Sequence, residues 1–161
     1  MGYISDLRAL VGHQPLLLLG AGALIVDAQG RLLLQRRSDD DTWGIVGGAV
    51  EPGESVEEAA RREVHEETGL KAESLLLWDM VSGRDCFHTY LSGDQAHIVS
   101  IVYFCPDWTG EPIPTEESKE LRFFAPAELQ GLSSTQMSGV NRAIIQGWLE
   151  RGDGAQGSKS V

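Results

Sequence analysis

The sequence has only two cysteines, Cys86 and Cys105, in 161 residues. Two thiols are too few for the disulfide framework of a small secreted domain, so we expect reduced cysteines in a cytosolic protein. The longest apolar run, residues 15–26, has twelve residues, whereas a membrane span needs about 20. Residues 1–14 hold one acid and one base and lack the cationic start of a secretory signal. These absences predict a cytoplasmic protein with no membrane partner.

Basic residues are also scarce. Thirteen Lys and Arg stand against 24 Asp and Glu, which gives a formal net charge of -11. A surface of this sign repels phosphate backbones, so nucleic acid is not expected as a partner. An anionic substrate would need a cation between itself and the protein.

The composition and the length predict one globular domain. The hydrophobic fraction of 42% and the charged fraction of 23% are ordinary for folded proteins. We assign residues 1–150 to the domain, with residues 1–14 as an N-terminal extension whose apolar spacing over 4–11 predicts a short helix. Residues 151–161 contain three glycines and few apolar side chains, so we expect a flexible tail.

Apolar patterning predicts a mixed sheet with helices packed on its faces, and therefore an α/β fold. Residues 16–27 and 32–37 are expected to form two strands of a hairpin around the turn at 27–30. Further strands are expected at 43–50, 75–78, 98–104 and 121–125, and helices at 55–68 and 137–150. The apolar run at 16–19 would suit a core strand or a subunit contact, so a homodimer stays open.

The helix at 55–68 gathers three acids on one side. At about 100° per residue, Glu63, Glu66 and Glu67 fall within an arc of about 100° on adjacent turns. Like charges held so close destabilise a helix unless they are solvated or neutralised, and a hard divalent cation with oxygen ligands is a natural neutraliser. The spacing therefore favours an open metal site.

The loop before this helix, residues 47–54, contains three glycines and one proline, which suit tight, closely approaching backbone. Such a loop can offer a main-chain carbonyl to a metal. Arg62 lies near enough to the acidic face to pair with Glu54 or Glu66, and we interpret it as a structural clamp between the loop and the helix.

Residues 48–70 contain a spaced pattern of nine residues: Gly48, Glu54, Arg62, Glu63, Val64, Glu66, Glu67, Gly69 and Leu70. This pattern resembles the Nudix box, the signature motif of the Nudix hydrolase family. Nine matching positions within 23 residues make chance an implausible account. The family usually has proline where this chain has Val46. The resemblance implies the family's α/β/α sandwich, with a mixed sheet and helices on both faces.

The resemblance also implies an activity. Nudix enzymes hydrolyse a nucleoside diphosphate linked to another moiety, with Mg²⁺ or Mn²⁺ as cofactor and water as the attacking group. By carry-over, Glu66 and Glu67 would be metal ligands, the Gly47 carbonyl a further ligand, and Glu63 a ligand or the group that deprotonates water. Glu54 and Arg62 join Glu63 and Glu66 in the implied catalytic group. The number of metals and the identity of the base stay open.

A second acidic stretch, residues 116–124, resembles the family's region in which a loop glutamate reaches back to the metals. The spacing to an aromatic strand position selects Glu117, with Glu120 as the alternative base or ligand. A solvated charged loop is the competing interpretation.

Five residues are candidates for nucleotide contacts. Arg84 could meet a phosphate, and Phe87 or Tyr90 could stack on a base. Arg36 and Arg37 follow one another on a strand, so their side chains point to opposite faces and at most one is expected to serve.

Substrate identity is approached by elimination. Cys86 and His88 stand where ADP-ribose and dinucleoside polyphosphate relatives carry proline and tyrosine, so we favour a nucleoside triphosphate or an oxidised form of one. ADP-ribose or a nucleotide sugar is the alternative within the family. A nucleotide-binding domain without turnover is the alternative of another class, although the complete motif argues against it.

Overall fold

The computed structural model describes residues 2–151. The chain begins with helix α1 (Tyr3–Val11), which confirms the short helix expected in the extension. The last helix includes Arg151, one residue beyond the expected domain boundary. Its guanidinium bonds the Asp79 carboxylate and lies over the ring of Trp78. The expected flexible tail otherwise lies outside the described residues.

The central sheet is mixed. It contains β1 (Leu16–Ile25), β4 (Val46–Ala49), β6 (Leu76–Val81), β7 (Phe87–Thr89) and β8 (Gln95–Cys105). The strand order is β4-β1-β8-β6, and β7 also pairs with β8. Strands β1 and β8 are parallel over ten residue pairs, from Leu16 opposite Ala96 to Ile25 opposite Cys105, whereas the other pairings are antiparallel.

Two smaller sheets complete the strands. Strands β2 (Leu32–Arg37), β3 (Trp43–Gly44) and β10 (Ser118–Phe124) form a three-stranded sheet in the order β10-β2-β3. Strands β5 (Lys71–Ala72) and β9 (Trp108–Thr109) pair with each other.

Two expectations about strands were wrong. Strands β1 and β2 do not form the expected hairpin: they belong to different sheets, and only one bridge, Val26 to Leu32, joins the two segments. The single strand expected over 43–50 is divided at Ile45 into β3 and β4. The Ile45 amide donates to the Asn141 side chain rather than to a strand, and the chain passes from one sheet to the other at this point.

The helices α2 (Val56–Thr68), α3 (Pro126–Gln130) and α4 (Gly139–Arg151) cover opposite faces of the strands. Side-chain alternation along β1 shows the division, because successive side chains point to opposite faces. Leu24 packs in the core that includes Ile144 and Trp148 of α4. Ala23 packs in the core that includes Val64 of α2. The α/β/α arrangement is therefore confirmed.

Within residues 2–151, no helix is long and apolar enough to cross a membrane.

Candidate active site

Local signals in the sequence fix helix α2, which carries most of the site. The Ser55 hydroxyl accepts from the Glu58 amide at 3.2 Å, and the Glu58 carboxylate accepts from the Ser55 amide at 2.8 Å. Gly69 ends the helix at φ 73°, a left-handed conformation in which glycine has no steric cost. The caps fix where the helix begins and ends, and packing of Val64, Ala59 and Ala60 in the core turns Glu63 and Glu67 inward while Glu66 stays exposed.

Arg62 ties the glycine-rich loop to this helix. Its Nε and Nη2 donate to the two carboxylate oxygens of Glu54 at 2.7 and 3.0 Å, and Nη2 also donates to the Ala49 carbonyl at 3.0 Å. Its Nη1 donates to Glu63 at 2.6 Å and to Glu66 at 3.1 Å. One guanidinium therefore contacts both predicted partners, Glu54 and Glu66. It holds the loop through a bidentate salt bridge to Glu54, which lysine cannot form.

Glu67 is buried at the inner end of the site, with 3% of its surface exposed. Its Oε2 accepts from the Gly47 amide at 2.9 Å and from Gln35 Nε2 at 2.7 Å. Gln35 is itself oriented by the Ser118 hydroxyl, which donates to its Oε1 at 2.5 Å. Burial raises the pKa of the Glu67 carboxyl from 4.5 to about 7, against the opposing effect of these hydrogen bonds.

Glu63 is the second buried acid, with 8% of its surface exposed. Burial raises the pKa of its carboxyl, although the neighbouring Arg62 acts in the opposite direction. The carboxylate lies directly against the glycine loop: a Cβ added at Gly48 would be 2.4 Å from Glu63 Oε1. A Cβ added at Gly47 would be 2.5 Å from the Ala21 carbonyl oxygen. The two glycines are therefore required for the close approach of loop, helix and sheet.

The donors at this site fit a hard divalent cation in their chemistry. Two buried carboxylates, Glu63 and Glu67, lie beside the exposed carboxylate of Glu66, and the Gly47 and Gly48 backbone adjoins them. Carboxylate and carbonyl oxygens are the ligands that such cations prefer, and buried carboxylates of raised pKa gain from a nearby positive charge. In residues 2–151, no three His, Cys, Asp or Glu side chains are already converged on one point, because Arg62 holds Glu63 and Glu66 while Gln35 and Gly47 hold Glu67.

The structure separates Glu117 from its alternative, Glu120. Glu117 is exposed and borders a hollow of about 390 Å³ together with Glu67 and Arg37. Glu120 lies on strand β10 opposite Arg36, with their charged atoms 3.9 Å apart. Glu117 therefore borders the same hollow as Glu67, and Glu120 does not.

The two neighbouring arginines, Arg36 and Arg37, also lie in different surroundings. Arg36 is paired with Asp41 at 2.8 Å, away from the acids of α2. Arg37 borders the hollow beside Glu67, and Asp39 fixes its guanidinium through two hydrogen bonds of 3.0 and 2.8 Å. Of this pair, only Arg37 faces the site, as strand alternation predicts.

A cleft of about 270 Å³ opens from the glycine loop across the sheet toward α4. Tyr90 and Arg37 line it together with Asn141. Arg84 and Phe87 do not line it: Arg84 lies in a single 3-10 turn, and Phe87 packs against His97 with ring centroids 4.8 Å apart. Of the five predicted nucleotide contacts, the structure brings Arg37 and Tyr90 to the cleft.

Sequence reasoning missed three residues that shape the site. Gln35 and Ser118 orient Glu67, and both are 1% exposed. Asn141 connects α4 to the point where the chain changes sheets. A glutamine within the apolar run of β2 was a visible signal, because a buried amide needs hydrogen-bond partners. The partners themselves lie too far along the chain to be identified from spacing.

Comparison with known proteins gives a consistent result. A family model described as the NUDIX domain matches residues 16–146. The Escherichia coli (strain K12) protein "Nucleoside triphosphatase NudI" is 32% identical over 116 residues, which cover 65% of this chain and 80% of that protein. The Bacillus subtilis (strain 168) protein "Putative 8-oxo-dGTP diphosphatase" is 47% identical over 53 residues, which cover 33% of this chain and only 36% of that protein.

Solved structures show the same similarity over most of the chain. The crystal structure of a MutT NUDIX hydrolase from Burkholderia pseudomallei superposes with a TM-score of 0.65 and 33% identity, covering 83% of this chain and 97% of that chain. A MutT protein from Methanosarcina mazei Go1 superposes with a TM-score of 0.70 at 23% identity, covering 86% and 96%. At 23% identity, the second similarity is evidence of a shared fold alone.

Proposed function

The chain belongs to the Nudix hydrolase family, and on this premise we propose that it hydrolyses a nucleoside triphosphate at a phosphoanhydride bond, with Mg²⁺ or Mn²⁺ as cofactor. The observation that carries the proposal is the pair of buried carboxylates, Glu63 and Glu67, against the backbone of Gly47 and Gly48. Burying two carboxylates lowers the stability of the folded protein, and a cation bound to them offsets this loss.

The proposed roles follow from the contacts. Glu66, Glu67 and the Gly47 carbonyl would hold the cation, with Glu117 reaching from the opposite side of the hollow. A bound divalent cation neutralises phosphate oxygens and lowers the pKa of coordinated water. It also resolves the mismatch between an anionic substrate and a protein of net charge -11.

The reaction transfers a phosphorus-centred group to water. The oxygen of water forms a bond to one phosphorus, and the bond from that phosphorus to a bridging oxygen breaks. The part of the substrate beyond that oxygen leaves with the electron pair: pyrophosphate if the α-phosphorus is attacked, and phosphate or the nucleoside monophosphate if the β-phosphorus is attacked. A carboxylate must take the proton of the attacking water. Glu63 is the proposed acceptor because its burial raises its pKa, and Glu117 is the alternative. Arg62 and Glu54 position Glu63 and the loop.

The preference for a nucleoside triphosphate rests on the sequence and on the relatives. One relative is named a nucleoside triphosphatase, and another is named for 8-oxo-dGTP. Arg37 would meet a phosphate, and Tyr90 would contact the base. ADP-ribose and nucleotide sugars are the alternative substrates, and the assay below includes them.

The test is a panel assay. The protein is incubated with Mg²⁺ and with the common ribonucleoside and deoxyribonucleoside triphosphates, 8-oxo-dGTP, ADP-ribose and a nucleotide sugar, and released phosphate and pyrophosphate are measured separately. We expect turnover of at least one triphosphate, and a loss of at least about 100-fold in Glu66→Gln and Glu67→Gln. Glu57→Gln, which removes the same charge from the exposed side of α2, is the matched control. Tight binding of a nucleotide without any turnover would instead support the nucleotide-binding alternative.

Metal binding is tested without turnover. Titration calorimetry with Mn²⁺ should give binding to the unaltered protein and to Glu57→Gln, and weaker binding to Glu67→Gln. Equal Mn²⁺ affinity in all three proteins would remove Glu67 from the proposed metal site.

We also propose a homodimer and a cytoplasmic location. One face of the central sheet exposes 78% of Leu17, 66% of Leu77 and 60% of Met80, and uncovered apolar side chains of this kind favour subunit contacts. Sedimentation analysis should show a dimer that Leu17→Glu dissociates, whereas Leu10→Glu, on the outside of α1, leaves it intact. The two free, buried cysteines support the reducing compartment.

A further inference from the structure

Helix α1 lies outside the segment that the family model matches, which begins at residue 16, yet it borders the cleft. Ile4 lines the cleft of about 270 Å³ that starts at the glycine loop. Ile4 also lines a second cavity, of about 440 Å³, whose lining does not include the glycine loop. Leu18 and Tyr90 are shared by both cavities in the same way. The two cavities therefore meet at an apolar and aromatic neck, and α1 supplies one side of it.

The inward side of α1 is well defined. Ile4, Leu7, Arg8 and Val11 are partly shielded, whereas the other described side chains of the helix are exposed. This spacing is one face of a helix. None of the nine helical residues is fully buried, so burial alone holds the helix weakly against the domain.

Arg8 provides the specific attachment. Its guanidinium donates to the carbonyls of Gly12, Gln14 and Gln95 at 3.1, 2.6 and 2.6 Å. Its Nε also lies 3.7 Å from the Asp94 carboxylate, and only 12% of the side chain is exposed. These contacts join the end of α1 to the start of β8, and so they fix where Ile4 stands over the cleft.

The side chains that line the cleft differ in chemical character between its two ends. The glycine loop and Arg37 line one end of the cleft, and the Gly47 amide there donates to the Glu67 carboxylate. The proposed function places the phosphates and their cation at this end. The neck at the other end is formed by the apolar side chains of Ile4 and Leu18 and by the ring of Tyr90. A flat, weakly polar ring fits such a neck better than a phosphate does, because ring faces pack against apolar and aromatic side chains.

We propose that α1 is a specificity element of the site: Ile4 contacts the base of the bound nucleotide, and Arg8 is a positioning residue that holds Ile4 in place. The inference rests on the proposed function, because that function places phosphates at the glycine loop.

The first experiment measures kcat and KM of the full-length chain with its best nucleoside triphosphate and with a deoxyribose triphosphate that lacks a base. Ile4→Ala should raise KM for the nucleotide about tenfold and leave kcat unchanged, since an apolar contact in a binding pocket is worth about this much. KM for the base-free compound should not change. The matched control is Leu10→Ala, at the position of α1 that is 83% exposed, and it should match the unaltered chain throughout.

The second experiment tests the positioning role. Arg8→Ala should raise KM for the nucleotide with little change in kcat, and Arg8→Lys should recover part of the loss. A structural role unrelated to the base would change KM for the base-free compound to the same extent. That result, or equal KM values for Ile4→Ala and Leu10→Ala, overturns the inference.

A binding measurement separates this inference from the proposed function. The corresponding nucleoside monophosphate is titrated calorimetrically into the same variants. If the unaltered chain shows no turnover but binds the monophosphate, weaker binding by Ile4→Ala than by Leu10→Ala still supports the inference while the proposed function fails. If turnover is normal and monophosphate affinity is equal in both variants, the inference fails and the proposed function stands.

Discussion

Glu67 should make the metal-free protein less stable as the pH rises. Its carboxyl is 3% exposed, and burial raises its pKa from 4.5 to about 7. Below pH 4.5 the proton is bound in both the folded and the unfolded chain. As the pH rises toward 7, the unfolded chain ionises Glu67 freely, whereas the folded chain must either keep the proton or bury a charge. The free energy of unfolding therefore falls with rising pH and levels off above the folded-state pKa.

The magnitude follows from the two pKa values. A rise from 4.5 to about 7 corresponds to about 3 kcal/mol of stability, present at low pH and lost above pH 7. The substitution Glu67→Gln resembles the protonated carboxyl in shape and keeps an oxygen that can accept from Gly47 and Gln35. The stability of this variant relative to the unaltered chain should therefore increase by about 2.5 kcal/mol between pH 5 and pH 8, which is most of the total change.

The assay is urea unfolding at pH 5, 6, 7 and 8 with a chelator present, followed by tryptophan fluorescence, since Trp78 and Trp148 are buried. Comparison of the two proteins at each pH cancels the contributions of the titrating groups that do not interact with Glu67; Glu63, whose charge acts on Glu67, is the exception. Glu57→Gln, which also removes one negative charge from α2, should show no such trend. A stability difference between Glu67→Gln and the unaltered chain that stays constant from pH 5 to pH 8 refutes the reasoning.

Three further predictions concern the same site. Gly48→Ala should lower kcat/KM by about 10- to 100-fold with unchanged circular dichroism, because its Cβ would stand 2.4 Å from Glu63 Oε1 and displace that carboxylate; full activity would show that this contact is not needed. Arg62→Lys should lower the free energy of unfolding by about 1–2 kcal/mol in urea titrations, since lysine cannot make the two-pronged pair with Glu54; unchanged stability contradicts this. Mg²⁺ at about one hundred times its Kd should stabilise the unaltered chain by about 2.7 kcal/mol at pH 8, and Glu67→Gln by less; equal stabilisation contradicts the proposed ligand set.

The features predicted well from the sequence depend on short-range signals. Helix α2 starts and ends at its predicted caps, Ser55 and Gly69, because those signals lie within one turn of the helix ends. Helical spacing alone places Glu63, Glu66 and Glu67 on adjacent turns of α2, but it does not reveal that Glu63 and Glu67 are buried whereas Glu66 is exposed. Arg62 could be predicted as a clamp because its partners are four and eight residues away.

The features that were missed depend on long-range contacts. Pairing of β2 with β10 rather than with β1 is decided by packing between segments more than 80 residues apart, and a turn signal at 27–30 cannot reveal it. The support of Glu67 by Gln35 joins residues 32 positions apart. Glu117 precedes β10, whereas Glu120 lies within it, after an irregularity in the pairing between Ser118 and Glu120; the sequence does not show where the strand begins or where such a bulge occurs.

The parallel pairing of β1 with β8 has a consequence for biosynthesis. Strand β1 ends at Ile25, but its partner ends only at Cys105, so the ribosome must add 80 residues before the central pair can close. At about 5–20 residues per second, this takes roughly 4–16 s. During that interval helix α2 can already form, because its caps are local, while the apolar edge at Leu16–Leu19 has no partner on one side. The nascent chain is therefore most exposed to aggregation, and most suited to chaperone binding, between synthesis of the glutamate-bearing helix and synthesis of β8.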